Sequence, residues 1–182
     1  MITTQSSAVA PPPIALLSTG GTFEKIYDPL TGLLGFTESA IAAWKTQCHM
    51  PENTRLAVPF LVDSLEMTDG QRSALCRQIR DCPETLVVVI HGTDTLVASA
   101  KEAVKTKRPE QVVLFTGAMV PASCATSDAL FNLGMAIAAV QCQPPGVWVA
   151  CSGRVFSADA VEKDRALGRF VALDPNAENK TR

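Results

Sequence analysis

The clearest signal in the sequence is a set of short, continuous apolar runs, each followed closely by a glycine. Leu86 to Ile90 is an unbroken run of aliphatic, mostly β-branched residues, and Ile14 to Leu17 is a second unbroken aliphatic run. Runs of this length without apolar–polar alternation are typical of strands that are buried on both faces of a sheet. The pattern therefore predicts parallel strands over 14–18 and 86–90.

Segments with helical spacing separate these strands from further apolar runs. The pattern predicts helices over 38–48, 69–81, 95–107 and 127–140, and further strands over 56–62, 111–116 and 146–151. A long loop with room for a short hairpin is expected over 19–36. Regular alternation of strands and helices predicts an α/β fold: a doubly wound, mostly parallel sheet of the Rossmann or flavodoxin type.

The ends of the chain differ from its interior. Residues 1–13 are rich in Ser, Thr and Pro and are expected to form a disordered lead-in, and residues 174–182 a polar, unstructured tail. No interior stretch has the composition of a linker. A single domain over 14–173 is therefore predicted.

Composition narrows the classes of function. The 182 residues are 47% hydrophobic and 19% charged, with a net charge of −2. A chain without a basic stripe is not expected to bind nucleic acid, and no apolar stretch has the length of a membrane span. The N-terminus shows no export signal. We therefore expect a soluble, cytoplasmic protein that binds a small molecule.

Cysteine and histidine spacing gives no sign of a metal centre. The six cysteines are scattered without a C-x-x-C pair, and His49 and His91 lie far apart in the sequence. A reducing cytoplasm and free thiols fit this usage better than disulfides. Neither a metal nor another cofactor is predicted.

Two of the predicted strands end in glycine followed by threonine. Gly20-Gly21-Thr22 follows the first strand, and Gly92-Thr93 follows the strand that ends at Ile90. Strand ends of a parallel sheet share one edge, where such folds bind ligands. The glycine pair is consistent either with a tight turn or with close approach of the backbone to a ligand, and it is not a phosphate-binding loop.

Several polar residues near these ends have both a structural and a chemical interpretation. Thr93 and Asp94 either cap the next helix or place a nucleophile and a carboxylate at its N-terminus. A threonine nucleophile needs a base, and Lys163 is the candidate, although its local sequence is that of a surface lysine. Tyr27 is either a surface residue or part of a lid over a substrate. The residues alone leave these alternatives open.

Four segments, in consistent order between residue 14 and about residue 172, together resemble the bacterial-type asparaginase/glutaminase family. They are Thr19-Gly20-Gly21-Thr22-Phe23 with Tyr27 downstream, Asp63 to Asp69, Val89 to Leu96, and Phe115 to Pro121 continuing through Ser127-Asp128-Ala129 and Phe131-Asn132-Leu133. The resemblance implies an amidohydrolase that converts L-asparagine into L-aspartate and ammonia.

The resemblance also implies a catalytic set. Thr22 matches the family's first active-site threonine, the acyl acceptor, and Tyr27 is its lid partner. Thr93, Asp94 and Lys163 match a second, hydrogen-bonded set that handles protons.

Substrate-binding residues follow from the same match. Asp94 is expected to hold the substrate's α-ammonium and Ser64 its α-carboxylate, and Glu66 belongs to the same substrate-binding segment. Ala118 is expected to line the amide end through its backbone. The Thr93 N–H is expected to stabilise the oxyanion, a contribution of roughly 3 kcal/mol for a donor of this kind.

This sequence departs from the family pattern in two ways, one in the segment that binds substrate and one in the length of the chain. After the serine many relatives carry Gln and then Asp, whereas Leu65 and Glu66 follow Ser64 here. The resemblance covers the larger N-terminal domain, and we expect a short form without the smaller C-terminal domain. Such a domain is expected to form a homo-oligomer, a dimer or tetramer.

Two alternatives for the function remain. The substrate is glutamine or another small amide, or the chain is a catalytically inactive module that binds an amino acid.

Overall fold

The computed structural model describes residues 11–173, and its centre is one six-stranded sheet. The sheet contains β1 (Ile14–Ser18), β4 (Arg55–Ala57), β5 (Leu86–Ile90), β6 (Val112–Thr116), β7 (Gly146–Cys151) and β8 (Arg154–Ser157). Two small hairpins are formed by β2 (Ile26–Asp28) with β3 (Leu33–Gly35), and by β9 (Val161–Asp164) with β10 (Arg169–Ala172). The α-helices are α1 (Gly21–Glu24), α2 (Ile41–Gln47), α3 (Asp69–Asp81), α4 (Leu96–Thr106) and α5 (Ala129–Val140).

Strand order explains why the apolar runs are continuous. The order is β4-β1-β5-β6-β7-β8, and every pairing is parallel except that of β7 with β8. Alternate residues of the central strands pack against α3 and α4 on one face and against α2 and α5 on the other. Each fully buried aliphatic side chain contributes about 1.5–3 kcal/mol. The predicted doubly wound, mostly parallel α/β fold is confirmed.

The predicted strand over 56–62 is wrong in its extent. Pairing with β1 ends at Ala57, and Val62 rejoins the edge only as an isolated bridge to Gly20. Pro59 lies between these points, and proline has no N–H to donate to a ladder. The result is a short edge strand followed by a separate contact beyond the end of β1.

Two predicted helices begin later than expected because side chains before them bind elsewhere. The helix predicted from residue 38 begins at Ile41, since the Ser39 hydroxyl and the Ala40 amide both donate to the Glu24 carboxylate. The helix predicted from residue 127 begins at Ala129, because the Ser127 hydroxyl donates to the Val120 carbonyl and Asp128 accepts from the Val120 amide. In both places a tertiary contact determines where the helix begins.

The sequence analysis missed β8, β9 and β10. The β7–β8 turn contains Ser152 and Gly153, both with positive φ, which is the geometry of a two-residue hairpin turn. The predicted lead-in lies outside the described residues over 1–10, as does the whole predicted tail over 174–182. All six cysteines are free thiols, as expected. Within residues 11–173, no helix has the length and apolarity needed to cross a membrane.

Candidate active site

The ends of β1 and β5 lie side by side, so the two glycine–threonine segments leave the sheet together. Ser18 pairs with Ile90, the last residue of β5, in the parallel ladder. One position further, the Thr19 amide donates to the Ile90 carbonyl at 3.0 Å. The predicted meeting of both strand ends at one edge of the sheet is confirmed, and this edge is where open α/β sheets bind ligands.

Close backbone contact between these segments depends on glycine at two positions. A Cβ on Gly21 would lie 2.3 Å from Gly92 Cα, and Gly21 also has a φ of +64°. A Cβ on Gly92 would lie 2.5 Å from the Ser64 side chain. Any larger residue at either position would push these segments apart. The glycines therefore allow the segments that carry Ser64, Thr22 and Thr93 to pack together at one edge.

Ser64 belongs to a third segment, which is held against the first by backbone hydrogen bonds and against the second by a side-chain hydrogen bond. The Gly21 amide donates to the Val62 carbonyl, and the Val62 amide donates to the Thr19 carbonyl, both at 3.0 Å. The Ser64 carbonyl accepts from the Thr95 hydroxyl at 2.9 Å, and Ser64 is only 2% exposed. The Ser64 side chain is therefore buried at the carboxyl edge of the sheet, whereas Leu65 and Glu66, which follow it, are exposed.

Lys163 connects the predicted catalytic residues of the second segment. Its Nζ donates to Thr93 Oγ1 at 2.8 Å and to Asp94 Oδ1 at 3.0 Å. Thr93 is 4% exposed, and the Lys163 side chain is also largely buried. The helix-capping interpretation of Thr93 is wrong, because Thr95 is the N-cap of α4 and the Thr93 hydroxyl contacts Lys163.

The position of Lys163 differs from the sequence expectation. The sequence predicts no strand after 146–151 and gives Lys163 the local sequence of a surface lysine, but this residue lies within β9. Its partner in the ladder is Phe170 on β10, which is 3% exposed and packs into the core. The buried Phe170 thereby anchors the hairpin beside Lys163, and the amine of Lys163 points towards the edge of the sheet.

Ala118 lies in the loop after β6, and this loop is fixed by a partly buried polar network. Asp128 accepts from the Met119 amide at 3.1 Å and from the Val120 amide at 3.0 Å. The side-chain amide of Asn132 donates to the Gly117 carbonyl at 2.9 Å. Because a Cβ on Gly117 would lie 3.0 Å from Thr93 Cγ2, this loop runs directly beside Thr93.

Thr22 and Tyr27 occupy the most open part of the site. Thr22 is half-buried in α1, between residues that pack inward, and within residues 11–173 its hydroxyl has no hydrogen bond. Tyr27 lies on β2 with 62% of its surface exposed. The structure thus joins Thr93, Asp94 and Lys163 by direct hydrogen bonds, but it joins neither Thr22 nor Tyr27 to them.

Two charged residues near the site were missed by the sequence analysis. Lys25 forms an ion pair with Asp63, next to Ser64. Partial burial acts to raise the pKa of Asp63, but Lys25, the Leu65 amide and the charge of Lys163 together hold it below its ordinary value. Arg165, after Lys163, lies 3.6 Å from Asp94 Oδ1. Within residues 11–173, no group of three or more His, Cys, Asp or Glu side chains is arranged to hold a metal ion.

His91 is a buried residue that supports the Thr93 segment from behind. Its Nδ1 lies 2.9 Å from the Gly92 carbonyl, which only accepts, so Nδ1 carries the proton. Its Nε2 accepts from the Ser99 hydroxyl at 2.8 Å, and Ser99 in turn accepts from Arg72. Burial above all, and also Arg72, lower the pKa of His91 to about 4, against the opposing effect of the Gly92 carbonyl. The ring is therefore neutral, with its two nitrogens in fixed roles.

The low pKa of His91 predicts a pH-dependent stability. The unfolded chain takes up a proton near pH 6.5, whereas the folded chain does so only near pH 4. The contribution of His91 is therefore fully present above pH 6.5 and is lost as the pH falls towards 4, by about 3 kcal/mol in all. Urea unfolding between pH 7 and 4 measures this loss. His91→Asn is expected to flatten the dependence, the same change at exposed His49 is expected to preserve it, and equal slopes in all three proteins would contradict it.

Comparisons with known proteins agree with this geometry. A family model described as "Asparaginase, N-terminal" matches residues 13–176. L-asparaginase 2 of Escherichia coli is 31% identical over 146 residues, which cover 72% of this chain and 39% of that protein. The L-asparaginase of Thermococcus kodakarensis is 34% identical over 83 residues, 45% of this chain and 25% of that protein.

Solved structures show the same fold. A probable cytoplasmic L-asparaginase from Campylobacter jejuni superimposes with a TM-score of 0.79 at 26% identity, over 91% of this chain and 54% of that chain. The thermostable L-asparaginase from Thermococcus kodakarensis gives a TM-score of 0.76 at 22% identity, over 88% of this chain and 51% of that chain. The chain spans about half the length of these solved structures and less of the curated relatives. By the match of the family model and the shared fold, the chain belongs to the asparaginase family and corresponds to its N-terminal domain.

Proposed function

We propose that the protein hydrolyses the side-chain amide of L-asparagine to give L-aspartate and ammonia. The observation that carries this proposal is the contact of one lysine with a hydroxyl and a carboxylate at the carboxyl edge of the sheet: Lys163 with Thr93 and Asp94. A lysine held in this way is suited to accept and return protons. The relatives named L-asparaginase support the choice of reaction.

In the proposed mechanism the Thr22 hydroxyl attacks the amide carbon. As the new C–O bond forms, the hydroxyl proton passes by way of Thr93 to Lys163, which acts here in its neutral amine form. The C–N bond then breaks, and the leaving nitrogen takes up this proton from Lys163 and departs as ammonia. Water hydrolyses the remaining ester to release L-aspartate and restore the Thr22 hydroxyl. The Thr93 N–H and the backbone at Ala118 are proposed to stabilise the carbonyl oxygen while it carries negative charge.

Substrate is proposed to bind through its charged α-carbon groups. Asp94 Oδ1 already accepts from Lys163, and its carboxylate retains acceptor capacity for the α-ammonium. Ser64 offers a hydroxyl to the α-carboxylate, and Glu66 lies at the rim of the same segment. Tyr27, on its exposed hairpin, is proposed to close over Thr22 when substrate binds.

The experiment that tests the function is ammonia release by the purified chain. L-asparagine and L-glutamine are supplied separately, and L-aspartate or L-glutamate is measured alongside ammonia. Equal amounts of ammonia and L-aspartate, released faster from asparagine than from glutamine, are expected. Faster release from glutamine would indicate a glutaminase. Binding of L-aspartate without release of ammonia from either amide would indicate an amino-acid-binding module.

We also propose that the chain works as a homo-oligomer, dimer or tetramer, in the cytoplasm. The β2–β3 hairpin exposes several apolar side chains, among them Leu33 and Leu34, and Leu30 is 94% exposed. Exposed apolar side chains grouped on one element are typical of surfaces that contact another subunit. Light scattering tests this proposal, and a strict monomer over the working concentration range would contradict it.

A further inference from the structure

Arg165 lies at the mouth of the site in a turn whose backbone is fixed. The turn between β9 and β10 is closed by Asp164 Oδ1, which accepts from the Ala166 amide at 2.9 Å and from the Leu167 amide at 3.0 Å. Arg165 is the first residue of this turn, directly after β9, and its guanidinium faces Asp94. The guanidinium lies 3.6 Å from Asp94 Oδ1, and the side chain is 67% exposed.

Of the two cations beside Asp94, one has no carboxylate of its own as a partner. Lys163 and Arg165 both face the same oxygen of Asp94, so one carboxylate serves two cations. Within residues 11–173, Arg165 forms no other ion pair. The second carboxylate nearby, Asp63, is already matched by Lys25. An anion that binds beside Asp94 would therefore meet an arginine with most of its donors free.

The Ser64 segment offers no unmatched cation to such an anion, because Lys25 beside it is already paired with Asp63. Ser64 offers one neutral hydroxyl. Leu65, which follows it, is apolar and 64% exposed, and Glu66 has the same sign of charge as a carboxylate ligand. Among the side chains of residues 64–66, only this hydroxyl can donate to a substrate carboxylate. A compensating positive charge would therefore come from a different segment.

We propose that Arg165 binds the α-carboxylate of the substrate and so selects amino acids that carry a free carboxylate. This inference rests on the proposed function. The α-ammonium and α-carboxylate are attached to one carbon, and Asp94 and Arg165 form a matching pair of opposite charges side by side. The planar guanidinium offers two parallel N–H donors, the geometry that a carboxylate accepts best. Arg165 thus supplies the contact that Leu65 does not.

The test separates carboxylate recognition from other roles by comparing two ligands. L-aspartate carries the α-carboxylate, and β-alanine is the same molecule without it. Calorimetry on the full chain measures the binding of each to wild type and to Arg165→Met. Hydrogen bonds to charged groups are worth about 1.5–3 kcal/mol, so the variant is expected to bind L-aspartate about 10- to 100-fold more weakly. Its affinity for β-alanine is expected to stay within about twofold of the wild-type value, since no contact to that ligand is lost.

A matched control lies on the same hairpin. Arg169, on β10, is exposed and has no ion pair within residues 11–173, so Arg169→Met is expected to bind both ligands as wild type does. An unchanged affinity for L-aspartate in Arg165→Met would overturn the proposal, as would equal losses for both ligands. A wild-type chain that does not bind L-aspartate would overturn it as well.

Kinetics with L-asparagine distinguish failure of this inference from failure of the proposed function. In an active enzyme, Arg165→Met is expected to raise KM by the factor seen in L-aspartate binding and to change kcat little. If the wild-type chain releases no ammonia but shows the ligand-selective loss, the inference stands and the proposed function fails. If ammonia release is intact and Arg165→Met leaves KM unchanged, only the inference fails.

Discussion

Replacing Thr22 with alanine is expected to remove ammonia release from L-asparagine, lowering kcat by at least about 10⁴-fold. The variant lacks the oxygen to which the acyl group is proposed to be attached, and no neighbouring side chain supplies it in the same place. Thr22 is half-buried, and its hydroxyl has no hydrogen bond within residues 11–173. Loss of the hydroxyl should therefore leave the midpoint of urea unfolding close to the wild-type value.

Two further threonine variants make this prediction specific. Thr22→Ser keeps a hydroxyl and is expected to retain measurable turnover. Thr93→Ala removes the hydroxyl that contacts Lys163 and is expected to slow proton transfer while leaving Thr22 available for acylation. Acid quench followed by peptide mass mapping locates the acyl group. An acyl group on Thr93, or full activity in Thr22→Ala, would contradict the assignment of Thr22.

Much of the fold could be predicted because the local pattern of apolar residues is sufficient to identify the central strands. A strand buried on both faces needs an unbroken apolar run, and Leu86–Ile90 is one. The start of α2 was not predictable in this way. It depends on the Glu24 carboxylate, which is distant in sequence and accepts from the Ser39 hydroxyl and the Ala40 amide. Local periodicity carries no record of such a contact.

The candidate site was predictable in part for a related reason. Gly92 and Thr93 follow a recognisable strand, so topology alone places them at the carboxyl edge. Lys163 has no such local signal, because its four-residue strand contains two acidic residues and only one buried apolar residue. Its strand exists because Phe170 on the paired strand is buried in the core. For Lys163 the resemblance to a family supplied what the local pattern could not.

Arg165 and Lys25 illustrate a second limit. Both are ordinary charged residues in sequence, and both acquire their significance from a carboxylate many positions away, Asp94 and Asp63 respectively. Charge pairing across loops depends on the packed geometry and not on spacing along the chain. Only the folded structure shows that each residue lies beside its carboxylate.

Replacing Lys163 with arginine is expected to lower kcat for L-asparagine by about 10²- to 10⁴-fold, the range that a positioned proton carrier supplies. Arginine keeps the positive charge beside Asp94, so the ion pair and the fold should survive. Its guanidinium does not give up a proton in proteins, however, and it therefore has no means of accepting one from a hydroxyl. The contrast isolates proton transfer from electrostatic support.

The companion variant Lys163→Ala removes both the charge and the proton carrier, and it is open to chemical rescue. Small primary amines that enter the vacated space should restore part of the turnover, in proportion to their concentration and to the fraction of the amine that is unprotonated. Formation of L-aspartate is the appropriate measurement, because the amines interfere with detection of ammonia. The same amines should have no effect on Thr22→Ala, which lacks the nucleophile. Retention of more than a tenth of the wild-type kcat in Lys163→Arg would show that the proton leaves the site by a route that does not involve the Lys163 contact with Thr93.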